Sequence, residues 1–228
     1  NPGDEVLIPN PGYPTYTSVT NLVGALPRYY DLTGENGWFP DLEAMKRQDL
    51  SKVKIMWTSY PHMPTGATAN KEQLEKLVVF AKSKTFNMAG WRVGMVLGNS
   101  EHINAVLKVK SNMDSGMFYG IQKGAIAALN SSESWFSELN RVYHERRELM
   151  YALADKLQCT YDKNSVGMFV WAKLPAGVSS SEKFIDEVLY DKNIFITPGT
   201  IFGSNGEGYI RFSLCVTTDR IKEAVSRF

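Results

Sequence analysis

Residues 83–94 read Ser83-Lys84-Thr85-Phe86-Asn87-Met88-Ala89-Gly90-Trp91-Arg92-Val93-Gly94, and no other stretch of the chain narrows its fold as far. Most lysines are solvated surface charges. Here the lysine is followed eight residues later by an arginine that opens the apolar run Arg92–Leu97. Gly90 and Gly94 allow close backbone approach on either side of it. An amine that can shed its proton attacks an aldehyde and can later carry protons. A guanidinium grips a phosphate-like oxyanion in a forked geometry. Lys84 and Arg92 therefore read as a nucleophile and an anion holder on one loop-and-strand unit.

Outward from this stretch, short β-rich apolar runs alternate with longer amphipathic ones, the pattern of an α/β fold with a largely parallel sheet. Glu5–Ile8, Leu26–Leu32, Val53–Ser59 and Arg92–Leu97 read as strands. Tyr16–Gly24, Asp41–Gln48, Asn70–Lys82 and Glu101–Val109 read as helices, with Asn70 an N-cap and Pro40 or Asp41 opening the second. After Tyr119 the pattern changes. Helices over Ile121–Asn130 and Glu133–Leu157 are followed by a strand at Met168–Leu174 and a helix at Ser181–Tyr190. A strand at Tyr209–Cys215 and a terminal helix complete the chain. This predicts a large domain over residues 1–135 and a small C-terminal α+β domain over 136–228, joined by the long helix. One junction departs from the pattern. The helix ending at Ala81-Lys82 runs into Ser83 without a Gly, Asn or Pro to stop it. A parallel sheet also requires a strand returning from that helix. A segment of the domain is expected to be absent at Lys82–Ser83.

Composition excludes several function classes. The 228 residues are 43% apolar and 21% charged, an ordinary globular balance. Lys and Arg number 25 against 24 acids, a net +1 that gives no bulk electrostatic case for nucleic acid. Cys159 and Cys215 have no metal-like spacing, so a reducing, cytoplasmic setting without a disulfide framework is expected. No run approaches the roughly 18 apolar residues of a membrane span, and no signal-peptide pattern is visible. The scattered His62, His102 and His144 read as surface or loop residues, with no metal expected.

Three further motifs sit at strand ends. Tyr60-Pro61-His62-Met63-Pro64-Thr65-Gly66 follows the Val53–Ser59 strand, where open α/β sheets bind ligands. Pro11-Gly12-Tyr13-Pro14-Thr15-Tyr16 follows the first strand, and a flat aromatic there can stack on a planar ring. In Gly208-Tyr209-Ile210-Arg211-Phe212-Ser213-Leu214-Cys215 an arginine lies inside an alternating strand, which is costly unless its charge is matched. A substrate carboxylate would match it with two prongs, and a buried ion pair is the structural alternative. The upstream loop Thr197-Pro198-Gly199-Thr200-Ile201-Phe202-Gly203 lies beside that strand.

Taken together, these motifs resemble those of class I and II aminotransferases. These are fold type I enzymes that use pyridoxal 5′-phosphate (PLP), and the resemblance is to the aspartate and LL-diaminopimelate aminotransferase group. It implies that Lys84 holds the cofactor as a Schiff base and is the catalytic residue. It implies that Ser83 and Arg92 bind the cofactor, Arg92 at the phosphate, and that Tyr13 stacks on its ring. Arg211 falls on the arginine that holds the substrate α-carboxylate. Met63 stands where the family has an asparagine contacting the ring hydroxyl, and methionine cannot donate that bond. The family's ring-nitrogen aspartate falls at the Lys82–Ser83 junction. The implied reaction is reversible amino transfer between an L-amino acid and a 2-oxo acid, in a homodimer with no nucleic-acid or membrane partner. A C–S lyase of the same fold and the aminotransferase-like domain of a transcription regulator are the rival readings.

Overall fold

Strand β1 (Glu5–Asn10) is rich in residues that suit a sheet covered on both faces, and Val6 to Asn10 are all buried. It belongs to a computed structural model that describes residues 3–70, 73, 100–113 and 116–228. Helix α1 (Thr15–Leu22) leads to β2 (Leu26–Asp31), and the short α2 (Leu42–Lys46) leads to β3 (Val53–Met56). Both strands pair with β1 in parallel, in the order β2-β1-β3. Alternation along β1 divides its side chains between two layers. Leu7 packs with Tyr30, Leu32 and Met45 on one face, and Val6 and Ile8 pack with Ala25 on the other. Asp41 caps α2 by accepting the Ala44 N–H at 2.9 Å. Asn70 and Gln73 exchange side-chain-to-backbone bonds of 2.8 and 2.9 Å, a capping box at the predicted helix start. The rest of that helix, the Lys82–Ser83 junction and the expected strand Arg92–Leu97 lie outside the described residues.

Helices α3 (Ser100–Met113), α4 (Tyr119–Leu129) and α5 (Glu133–Lys156) follow. The second half of the chain adds β4 (Thr160–Tyr161), β5 (Phe169–Lys173), α6 (Ser181–Lys192), β6 (Thr197–Pro198), β7 (Tyr209–Ser213) and α7 (Thr218–Ser226). The strands form an antiparallel sheet in the order β4-β5-β7-β6. One compact unit comprises Asn1–Val79 with Arg141–Phe228, and a second comprises Phe80–Asn140. Within the first unit, Val170, Ala172, Ile210 and Phe212 point into a core closed by Met150, Leu153, Ala154 and Leu157 of the α5 stretch. That spacing is one face of a helix. Ile185 and Val188 of α6 and Ile221 of α7 complete the core. The opposite face of β5 and β7 therefore presents Phe169, Trp171, Tyr209 and Arg211.

The structure differs from the sequence reading in local respects. β3 ends at Met56 rather than Ser59. The Trp57 N–H still bonds to the Leu7 carbonyl at 2.9 Å, but the chain then turns toward Pro61, which has no N–H to offer a ladder. The strands β4 and β6 have two residues each, too short to leave a periodic signal. His62 is a loop residue, one of the two expected alternatives, but a buried one, at 3% exposure. Cys159 and Cys215 are free thiols, one buried and one exposed. No helix among the described residues is long and apolar enough to cross a membrane. No group of metal-ligating side chains is found among them either.

Candidate active site

Tyr13 sits just beyond the C-terminal end of β1 and is 40% exposed. Its ring meets Tyr16 edge-on at 5.7 Å, and Tyr16 in turn stacks on Trp57 at 4.8 Å with the planes 10° apart. Burial raises the Tyr16 hydroxyl pKa, partly opposed by a hydrogen bond with Ser59. Tyr30 donates to the Trp57 carbonyl at 2.6 Å and Tyr60 to the Trp38 carbonyl at 2.8 Å. Burial pushes both phenols well above the ordinary tyrosine value, so they remain donors. The ends of β1 and β3 thus carry an aromatic wall braced from behind, with Tyr13 as its open member. A cleft of about 440 Å³ borders this wall, lined by Asn10, Gly12, Tyr13, Phe202 and Ser204 among others.

The Tyr60–Gly66 motif is a tight turn. Gly66 donates to the His62 carbonyl at 2.7 Å, and its own carbonyl accepts from Val166 at 3.0 Å. Its φ is +73°, and a Cβ there would come within 2.8 Å of the Val166 carbonyl, so glycine is required. Nδ1 of His62 lies 2.8 Å from the Thr65 hydroxyl. Met63, at the departure from the family pattern, is half-buried.

Arg211 occupies the middle of β7, paired in register with Trp171 on one side and Thr197 on the other. Its guanidinium lies over two rings, 4.0 Å from the centre of Phe169 and 4.6 Å from that of Phe202. Burial lowers its pKa from the ordinary arginine value, yet a guanidinium stays charged in a protein. Its Nε is buried with no hydrogen-bond partner, and no carboxylate pairs with it among the described residues. The buried indole N–H of Trp171 likewise has no partner among them. A charged donor held between rings and left unmatched by protein is suited to bind an incoming anion.

Of the site residues expected from sequence, the structure therefore describes Tyr13 at the end of the parallel sheet and Arg211 on the open face of the antiparallel one. Phe202 borders the cleft that Tyr13 lines and also covers Arg211. Ser83, Lys84 and Arg92 lie outside the described residues. The ring clamp on Arg211 went unnoticed in the sequence. Phe169 and Phe202 are 33 positions apart, and only Phe202 stood in a quoted motif.

A parallel sheet with an exposed aromatic at one strand end, and an antiparallel sheet presenting an arginine, agree with the PLP-dependent fold type I class to which the structural neighbours belong. The chain belongs to the class I and II aminotransferase family, whose model matches residues 1–84 and 82–228. It is 35% identical over 269 positions to the LL-diaminopimelate aminotransferase of Nitratidesulfovibrio vulgaris, with 100% of this chain and 69% of that protein covered. It is 36% identical over the same span to the enzyme of that name from Maridesulfovibrio salexigens, with the same coverage. Among solved structures, apo-BacF from Bacillus subtilis superposes with a TM-score of 0.88 at 33% identity, covering 100% of this chain and 68% of BacF. An aminotransferase from Staphylococcus aureus gives 0.86 at 29% identity, covering 100% and 70%. The protein is a PLP-dependent transaminase of the aspartate aminotransferase type. The two family matches meet at residues 82–84, and the 269 aligned positions exceed the chain's 228 residues by 41.

The described residues fit PLP and its amino-acid substrate. Tyr13 offers an aromatic face beyond a parallel strand, and Arg211 offers a buried Nε that no group among the described residues satisfies.

Proposed function

We propose that Arg211 binds the α-carboxylate of a free L-amino acid, Tyr13 stacks on the cofactor ring, Ser83 and Arg92 hold the cofactor, and Lys84 is the catalytic amine. The observation that carries this reading is the ring-clamped guanidinium of Arg211, charged, half-buried and with its Nε unpartnered among the described residues. Bound PLP supplies an electron sink for the pair released when the α-C–H bond breaks. Arg211 orients that bond by fixing the carboxylate with two parallel bonds. Lys84 takes the proton from the substrate α-carbon and returns it on the other side of the transfer. LL-Diaminopimelate, with aspartate and glutamate, is the first donor to test, given the names of the relatives above.

The test is a single turnover followed by absorbance. An amino acid should convert the cofactor to its amine form, and a 2-oxo acid should restore the starting spectrum. Ammonia release without the amine form would instead assign the protein to the C–S lyases. Borohydride reduction and peptide mapping should place the pyridoxyl group on Lys84, and a label on another lysine would sink that assignment.

The same reading includes a homodimer, a cytoplasmic location and the division into domains 1–135 and 136–228. Exposed Phe118, Tyr119, Ile126 and Leu129 support an interface. The free thiols support a reducing compartment. It also includes a family segment missing between Lys82 and Ser83, supported by the two matches that meet there. The natural protein should then weigh well over 25.6 kDa, and an intact mass equal to that value would overturn the missing segment.

A further inference from the structure

The two sheets of the first unit are joined by an amide pair that the reaction chemistry does not use. Asn10 ends β1 and is 9% exposed, so its polar atoms need partners within the protein. Its Oδ1 accepts the Asn205 N–H at 3.2 Å, and its Nδ2 donates to the Ser204 hydroxyl at 3.0 Å. Its backbone carbonyl accepts from Nδ2 of Asn205 at 3.1 Å, and that nitrogen also donates to Asp31 at 2.8 Å. Both amide protons of Asn205 are thereby committed. Next to this pair, the Gly12 N–H donates to the Phe202 carbonyl at 2.7 Å. Gly203, at φ +126°, has no room for a Cβ, because one would collide with Oδ1 of Asn10.

These contacts reach both ends of the proposed site. Gly12 adjoins Tyr13 in the chain, and the Phe202 ring lies on the Arg211 guanidinium at 4.6 Å. Fixing the Phe202 backbone to Gly12 fixes where the ring clamp holds Arg211 relative to Tyr13. We propose that Asn205, through Asn10 and Asp31, is a positioning residue that sets the reach between the cofactor-stacking aromatic and the carboxylate-binding arginine. Without its side chain the loop carrying Phe202 keeps only the bond to Gly12 and the weaker ties of Asn10 to Ser204 and the Asn205 N–H, and the aim of Arg211 is loosened. This inference rests on the reading of Tyr13 and Arg211 given above.

The test uses the PLP-loaded enzyme with L-aspartate and 2-oxoglutarate. Asn205→Asp removes both donated bonds and sets a carboxylate against Asp31. KM for both substrates should rise roughly tenfold, with a smaller change in kcat and unaltered affinity for PLP. Asp31→Asn combined with Asn205→Asp should recover part of the loss, because reversing the pair restores one bond of the two. In the protein prepared without cofactor, the Gly12 amide should exchange its hydrogen about tenfold faster in Asn205→Asp. Unchanged KM with only a lowered melting temperature would overturn the proposal, as would unaltered exchange at Gly12. Arg211→Lys, measured alongside, separates the two possible failures. If it leaves KM unchanged, the reading of Arg211 falls and the positioning role with it. If it raises KM while Asn205→Asp does not, only the positioning role falls.

Discussion

Two of the described strands carry an arginine within their run, and they satisfy it in opposite ways. Arg28 in β2 bonds to Glu5 at 3.0 Å, to the Gln48 side chain at 2.9 Å and to the Asp49 carbonyl at 2.7 Å. All of its partners are protein, and its charge ties β2 to the start of β1. The Arg211 guanidinium in β7 lies over two aromatic faces, and its Nε has no partner among the described residues. Leaving a charge desolvated and unmatched costs free energy. Such a cost persists where function requires it, as at other strained or unsatisfied functional positions. The contrast shows that a strand arginine is recognised as structural or ligand-binding by its partners, not by its burial.

The largest effect expected from this contrast is on catalysis. Arg211→Lys should lower kcat/KM for amino acids about ten- to hundredfold, because an ammonium cannot reproduce a two-pronged contact. Steady-state kinetics reads this directly, and an unchanged kcat/KM would place Arg211 with Arg28 as a structural charge. Arg28→Met should do the reverse. It should cost about 1 kcal/mol of stability, since the pair is only partly shielded from water, and leave KM unaffected. Denaturant titration together with kinetics would show both.

The stability of Arg211→Met makes the contrast sharper. Replacing an unmatched charge with an apolar side chain of similar volume should hold or raise stability by about 1 kcal/mol, a shift of a few degrees in melting temperature, while activity is lost. A stability loss of several kcal/mol would mean that Arg211 is matched within the protein after all.

The smallest effect concerns Glu207, beside β7. Its carboxylate accepts from the Gly208 and Ser181 N–H groups, and those bonds hold its pKa below the ordinary carboxylate value. With the folded-state pKa depressed, its contribution is complete above the unfolded value, near 4.3. That contribution disappears as pH falls through the folded pKa. Glu207→Gln should therefore be slightly less stable than the parent at neutral pH, by well under 1 kcal/mol for so exposed a group. The difference should vanish as pH falls through that lowered pKa. A difference that persists in acid would show that shape, not charge, holds the α6 start.

Much of this was legible from residues alone. Alternation gave away β5 and β7 because their sheet has one buried and one open face. The capping signals at Asp41 and Asn70 are set by residues three positions apart. The turn after β3 was harder to delimit, since apolar residues continue past the last ladder bond. His62 lies in a turn as expected, but its burial was not legible, because a polar residue in a turn normally faces solvent, whereas here the turn is pressed against Ser165 and Val166.

The sequence by itself determined the α/β order of elements, the motifs at the strand ends and the family, because those depend on periodicity, capping and spacing over a few residues. It also marked Arg211 as costly to bury, but it could not say what lies around it. Only the tertiary structure decided that Arg28 is paired and that the Arg211 Nε has no partner among the described residues. It alone brought Phe169 and Phe202 onto one guanidinium, and set Asn10 against Asn205 across 195 positions. Hydrogen bonds and ring contacts are made where the folded chain brings atoms within a few ångströms, and separation along the sequence carries no record of that distance.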